Sequence, residues 1–373
     1  FRQDPAALPP LHPCDPGQFS GDPSPSGLVC VQRVDTCPSY LQPRPGIPGA
    51  TTAFEPFGFV DGLAQPLIRG LRLSRAEQQA RAAAGPIFDD RVVAPGEFLL
   101  GYKNEFGELA YCPDVKQNPT PAVPFSLDGS YLAVRQIRQD VAAFRAFEKK
   151  QPPRPPGVPQ LVEKMVGRRK DGSPLVQCPF APTEPDAFRY RVEDAVGLQC
   201  PRGAHIRRAN PRDMQGVDVD SGLEQAKSHR ILRRGRVYAA PQPASRFCQS
   251  ASNPCGNDAA RHENACGHGL FFIAINAHIE RQFETLQRWL TQPDFNELSD
   301  EVDALTESSA AGPRAFTEQA QPVGVRHAPI PQFTELVGGG YFFLPSLAAI
   351  EFIASGHRPS ATTDAACQRW QGQ

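Results

Sequence analysis

The chain has 373 residues, 40% of them apolar, with 40 prolines, two methionines, two tryptophans and a mean hydropathy of −0.40. A core can form from this composition, which fits neither a disordered chain nor a coiled coil. Lys and Arg number 39 against 40 Asp and Glu, a formal net charge of −1, which argues against a nucleic-acid surface as the main business. Length suggests one large domain or two ordinary ones.

No run of eighteen apolar residues exists, so no membrane span is expected. The chain begins at Phe1, and its ten cysteines are compatible with five disulfides. Both features lean towards an exported protein.

In chain order, residues 1–50 hold eleven prolines and three cysteines and read as irregular coil. Ser74-Arg75-Ala76-Glu77 has the form of a capping box opening a helix that stops at Gly85-Pro86. Glu97 to Tyr102 reads as a strand, closed by a turn over 104–107. Ser130 to Ile137 is a second strand, followed by an apolar helical stripe of Val141, Phe144 and Phe147. The segment 151–159, rich in proline, is the best internal boundary, and a short helix from Leu161 to Val166 stops at Gly167.

Further on, Leu270 to Ile275 is a strongly apolar strand. The helix after it carries Ile279, Phe283, Leu286 and Leu290 on one face. Tyr341 to Leu344 is a strand, with a helix from Ser346 to Ser355. Strands with antiparallel-style turns alternating with helices predict an α+β fold.

Three pieces carry candidate chemistry. His205 stands among Arg202, Arg207, Arg208 and Arg212 in Cys-Pro-Arg-Gly-Ala-His-Ile-Arg-Arg-Ala-Asn-Pro-Arg. It is either a metal ligand beside an anion site or a loop histidine in a basic surface stretch, and spacing alone favours the second. Asp61 lies in Gly-Phe-Val-Asp-Gly, as an acid–base group on a tight turn or as a simple turn residue. The stretch from His229 to Arg236 reads by itself as a solvated basic strand end.

Taken in order, the three motifs resemble the dye-decolorising peroxidase family, in its long bacterial and fungal subgroup. Pro95 to Tyr102, Asp128 to Leu132, Arg135 to Asp140 and Gly338 to Ser346 extend the resemblance over residues 54–355. It implies two ferredoxin-like halves of the dimeric α+β barrel type, antiparallel sheets and haem in the C-terminal half. The implied division is 1–53, a Pro/Cys-rich segment; 54–150, the rest of a first half that looks short; and 151–373, the haem-binding half, with an insertion at 246–268.

The resemblance implies one haem b per chain, with His205 as proximal iron ligand, Asp61 as distal acid–base group and Arg233 as distal arginine. Arg207 falls where a propionate contact is expected. Glu280 matches the acidic partner of the proximal histidine, with His278 at a neighbouring position. The implied reaction reduces hydrogen peroxide and oxidises dyes, phenolics or other aromatic donors through a ferryl intermediate. Trp289, Trp370, Tyr238 and Tyr341 are candidate surface radical sites, with packing the plainer reading of each. The competing functions are iron release from haem and non-catalytic haem binding. Monomer and homo-oligomer both stay open. Within 246–268, Cys248, Cys255, Cys266, His262 and His268 suggest a disulfide-braced loop ahead of a zinc site.

Overall fold

The computed structural model describes residues 41–43, 51–71, 73, 78–79, 81–82, 90–112, 125–177, 186–241, 266–298, 300–306 and 314–354. The coil expected before residue 41, the capping box at 74–77, Trp370 and the Cys/His stretch up to residue 265 lie outside them.

Two short pairs come first: β1 (Leu41–Pro43) against β2 (Thr51–Ala53), antiparallel, and β3 (Leu67–Ile68) against β4 (Val92–Val93), parallel. The main sheet has five strands. Its centre is β5 (Ser130–Gln139) beside β8 (Cys266–Asn276). β11 (Thr334–Leu344) flanks β5, and β6 (Leu232–Arg233) and β7 (Arg236–Pro241) share the far side of β8. All these pairings are antiparallel. β9 (Arg314–Glu318) and β10 (Val325–Ile330) form a separate hairpin.

The α+β class with ferredoxin-like sheets in two halves holds, but the barrel expectation does not. Among the described residues no sheet closes: the five-stranded sheet ends at β11 on one side and at β6 and β7 on the other. Closure needs a hydrogen-bonded ring of tilted strands, and here the two edges do not meet. The small β3–β4 pair is also parallel, against the antiparallel expectation.

Local chemistry explains the elements around the site. α1 (Val141–Lys150) starts where the Asp140 side chain accepts from the Ala143 N–H, and it buries Val141 and Phe144. α2 (Leu161–Val166) opens with a Gln160/Glu163 capping box and ends at Gly167, whose φ of 94° suits glycine. Phe57, Phe59, Phe144, Leu161, Val162, Met165, Ala304, Leu305 and Phe333 pack in one core cluster. Phe57 stacks on Phe144 with ring centroids 4.2 Å apart, and Phe333 meets Phe144 edge-on at 5.2 Å. This core holds the residues just before Asp61 and just after Asp303.

Two elements differ from the sequence reading. Glu97 to Tyr102 is no strand: Pro95–Glu97 is a 3-10 turn, and the Leu99 N–H returns to the Pro95 carbonyl. Gly96 explains it, because a Cβ there would lie 2.2 Å from the Tyr102 carbonyl oxygen, so the chain folds back on itself. The apolar run is still buried, with Phe98 and Leu100 fully inside. The helix expected from Asn276 begins instead as a π-turn, Glu280–Glu284, and becomes regular only in α6 (Thr285–Thr291), which follows α3 (Tyr190–Glu193), α4 (His205–Ala209) and α5 (Val219–Ser228). The buried Gln282 causes the shift, since its amide oxygen caps the N–H groups of Ala277 and His278 at 3.1 and 2.8 Å.

No helix among the described residues is long and apolar enough to cross a membrane, and none of their His, Cys, Asp and Glu side chains group in threes to hold a metal ion. Cys112 is disulfide-bonded, and Cys200 is a buried free thiol.

Candidate active site

His205 is the first residue of α4 (His205–Ala209), which follows α3 (Tyr190–Glu193) and precedes α5 (Val219–Ser228). Its Nδ1 lies 2.9 Å from Oδ2 of Asp303. Asp303 is wholly buried. Its other oxygen accepts from the N–H groups of Leu305 and Thr306 and from the Thr306 hydroxyl, at 2.8–2.9 Å. Burial would raise the Asp303 pKa, but the charge and hydrogen bond of His205 and the two amides outweigh it and hold it at about 2. The ionised Asp303 is the acceptor for Nδ1–H, so Nε2 is the ring nitrogen left to a metal, which binds imidazole in its neutral form.

This corrects the expected acid partner. Glu280 is exposed on the π-turn, and His278 is exposed with its Nδ1 accepting from the Arg281 N–H at 3.2 Å. The sequence reading missed Asp303. Its available signal is the pattern Asp-Ala-Leu-Thr, an aspartate able to close a turn on its own backbone amid apolar neighbours.

The arginines after His205 also depart from expectation. Arg207 is fully buried and spends its guanidinium inside the protein. Nη1 donates to Asp194 at 3.2 Å and to the Cys200 carbonyl at 2.8 Å, Nη2 donates to the Asp194 carbonyl at 3.0 Å, and the group lies over the Tyr190 ring. It is therefore not placed for a propionate. Arg208 donates to the carbonyls of Trp289, Gln292 and Glu301, tying α4 to α6 and to the segment that carries Asp303.

Asp61 follows a tight turn in which the Gly58 N–H donates to the Glu55 carbonyl and Phe54 bridges Val60. Its Oδ1 accepts from the Gly62 N–H at 2.6 Å. The loop after it is gripped from β6 and the residues before it. Arg233 donates to the Leu63 carbonyl through Nη2 and to the Gln65 side chain through its backbone N–H, and Arg230 donates to the Ala64 carbonyl at 2.7 Å. Burial pulls the Arg233 pKa below its ordinary value, opposed by the negative charge of Asp61, the favourable neighbour with the largest effect. The structure thus brings Arg233 to the loop that follows Asp61, two residues past it.

One hairpin joins the two sides. A Cβ at Gly167 would fall 2.5 Å from Ile206 Cγ1, next to His205, and one at Gly172 would fall 2.7 Å from Leu63 Cδ1, two residues past Asp61. The Val60 N–H donates to the Lys170 carbonyl at 3.1 Å.

A cationic cluster lies along this hairpin. Arg168 pairs with Asp186 at 2.5 Å, and Arg212 approaches the same carboxylate at 4.0 Å while lying 3.6 Å over the Phe188 ring. Burial, and the charges of Arg212, Arg233 and Arg91, push Arg230 down to about 9, with Asp186 opposing. An arginine does not readily give up its proton, so partly buried cations in such excess call for anionic groups.

Of the radical candidates, Trp289 is buried, stacked on Phe295 at 5.2 Å and edge-on to His229 at 5.0 Å, and Tyr238 is buried. Tyr341 is exposed, with its hydroxyl donating to Glu284 at 2.9 Å and accepting from Arg135 at 3.1 Å.

The chain is similar to known proteins in sequence and in fold. The family model described as Dyp-type peroxidase, C-terminal, matches residues 117–317. The multifunctional dye peroxidase DyP2 of Amycolatopsis is 30% identical over 307 residues, 79% of this chain and 60% of that protein. A dye-decolorizing peroxidase of the fungus Mycetinis scorodonius is 29% identical over 331 residues, 83% of this chain and 58% of its own length. The solved Amycolatopsis DyP2 superimposes with a TM-score of 0.58 at 27% identity, covering 80% of this chain and 61% of that one. An Anabaena structure, at 24% identity and a TM-score of 0.54, covers 82% of this chain and 59% of its own and supports the fold. The chain spans about 60% of the length of the curated relatives it matches.

Proposed function

Because the chain belongs to the Dyp-type peroxidase family, we propose that it is a haem-dependent peroxidase that reduces hydrogen peroxide and oxidises dyes, phenolics or other aromatic donors. The observation that carries this reading is the arrangement of two acids. Asp303 is hydrogen-bonded to His205, Arg233 grips the loop just after Asp61, and the 167–174 hairpin packs against a neighbour of each, Ile206 and Leu63. A passive haem carrier needs no Asp61–Arg233 pair.

Dyp-type peroxidases are haem b enzymes, and the residues here fit that group. His205 offers Nε2 to iron, and the cationic cluster offers guanidiniums to the two carboxylates. Arg230 is the side chain we assign to the carboxylates, in place of Arg207, because Arg212 is already held by the Asp186 and Phe188 carbonyls. When bound, haem supplies the redox chemistry.

The protein's own groups do the rest. Asp303 keeps the proton on Nδ1 and makes Nε2 a stronger donor. Asp61, as a carboxylate, takes a proton from the near oxygen of peroxide and returns it to the departing one. Arg233 stabilises the negative charge that develops as the O–O bond breaks. The disulfide at Cys112 supports an oxidising compartment.

The test is reconstitution with haem followed by peroxide titration. One equivalent of peroxide should convert the resting Soret spectrum, and an aromatic donor should restore it. Recovery of metal-free porphyrin instead, with no donor oxidised, would transfer the assignment to iron release.

A further inference from the structure

Glu55 lies six residues before Asp61 and has no part in the chemistry above. Its two carboxylate oxygens are both committed. Oε1 accepts from the Phe59 N–H at 2.9 Å, and Oε2 accepts from the Phe57 N–H at 2.9 Å and from the Gln139 side chain at 2.9 Å. The Glu55 N–H donates to the Phe59 carbonyl at 2.9 Å, and its carbonyl accepts from Gly58 at 2.8 Å. One side chain therefore threads the turn that closes two residues before Asp61.

Gln139 anchors this turn to the fold. It is the last residue of β5, the centre of the main sheet, and Asp140 after it caps α1. Phe57 and Phe59, whose N–H groups Glu55 holds, pack on Phe144 of that helix. The carboxylate thus links Asp61's turn to a strand end and a helix start.

A surface turn needs no such device, because water would satisfy the same amides. Here the group is partly buried, and burial raises its pKa despite three hydrogen bonds, with Asp61's charge adding to the rise. A carboxylate held under this cost beside a second carboxylate has a geometric task.

We propose that Glu55 is a positioning residue for Asp61, holding the Phe57–Phe59 turn so that the Asp61 carboxylate stays in register with Arg233. The proposal rests on the peroxidase reading. Misplacing a reacting group by about 1 Å costs on the order of 100-fold in rate. In the haem-reconstituted protein, Glu55→Gln loses the acceptor for one of the two N–H groups. The rate constant for resting enzyme with peroxide should fall about tenfold or more. Haem affinity, the resting spectrum and the later oxidation of an aromatic donor should stay as in the parent.

The decisive readout is a double-mutant cycle. If Glu55 acts through Asp61, Glu55→Gln adds little in an Asp61→Asn background. An undiminished loss in that background overturns the proposal, as does an unchanged peroxide step in Glu55→Gln. Should Glu55→Gln fail to fold, Glu55→Asp decides: it keeps the charge, is one methylene shorter and cannot span both amides, so the same selective slowing is expected and its absence overturns the idea. A parent protein that binds haem yet never reacts with peroxide defeats the peroxidase reading itself, a separate outcome.

Discussion

The side chains of His205 and Asp303 meet at 2.9 Å across 98 residues of sequence, and the aspartate has no exposure to solvent. The contact is fixed from several directions. Two backbone amides and a threonine hydroxyl hold the far oxygen, the Asp303 N–H donates to the Leu290 carbonyl at 2.8 Å, and Arg208 clamps the Glu301 carbonyl just upstream. Removing the charge while keeping the shape should therefore be readable. Asp303→Asn is expected to lower haem affinity or peroxide reactivity about 10- to 100-fold. The iron's reduction potential should rise, since a neutral partner withdraws less proton density from the imidazole. Haem titration and spectroelectrochemistry check both. Glu280→Gln, exposed on the π-turn, should change neither.

Asp61 and Arg233 divide the peroxide step between a proton carrier and a charge stabiliser. Asp61→Asn keeps the size of the side chain and its bond from Gly62 but cannot take a proton. Its haem spectrum should match the parent's, while the rate constant with peroxide falls about 10²- to 10⁴-fold. Arg233→Leu should slow the same step by a comparable factor, and it also frees the Leu63 carbonyl, so the loop should become more susceptible to proteolysis. Stopped-flow mixing of resting enzyme with peroxide measures the rates. Parent-like reaction in Asp61→Asn would leave Arg233 as the working distal group.

These residues were legible in different degrees, for physical reasons. Asp61, His205 and Arg233 sit in short motifs where neighbouring glycines and arginines narrow the reading, and the fold brings Arg233 to the loop just after Asp61. Asp303 was not legible, because its importance comes from a contact that only the tertiary fold creates. Arg207 misled because a sequence shows a cation without its partners, here Asp194 and three backbone carbonyls. The run Glu97 to Leu100 misled in the other way. Burial predicts apolar side chains in turns and strands alike, and the close approach at Gly96 decides between them. Barrel closure depends on how sheet edges meet, which local patterning does not encode.

The contrast between Arg207 and Arg230 makes a paired test. Arg207→Leu leaves the buried Asp194 without its guanidinium, which typically costs about 3–5 kcal/mol. Urea unfolding of the haem-free protein should show that loss. Arg230→Leu removes one cation from a crowded cluster whose members repel each other, so the haem-free protein should be less affected. Its haem affinity should fall instead. Haem dimethyl ester, whose carboxylates are neutral, should bind the parent and Arg230→Leu alike. Equal loss of native haem binding in Arg207→Leu at matched folded fraction would restore Arg207 as a propionate contact.

Acid stability should depend on Glu318, at the end of β9. Arg154, from the proline-rich segment 151–159, donates to both of its oxygens, Nη1 at 2.9 Å, and His327 on β10 meets Oε1 at 2.8 Å. Burial raises the Glu318 pKa, but the hydrogen bonds and charges of Arg154 and His327 outweigh it, so the net shift is below the ordinary 4.5. A carboxylate depressed in the folded state stabilises fully above its unfolded pKa, and that contribution is lost as pH falls through the folded value. The parent should therefore lose stability below about pH 4.5. Glu318→Gln should melt lower at pH 7, by about 1–3 kcal/mol for the charged hydrogen bonds removed, and show a shallower fall on the acid side. Melting temperatures from pH 7 down to pH 3 check this, and parallel curves for the two proteins would show that the Arg154–Glu318–His327 contact carries no pH-dependent stability.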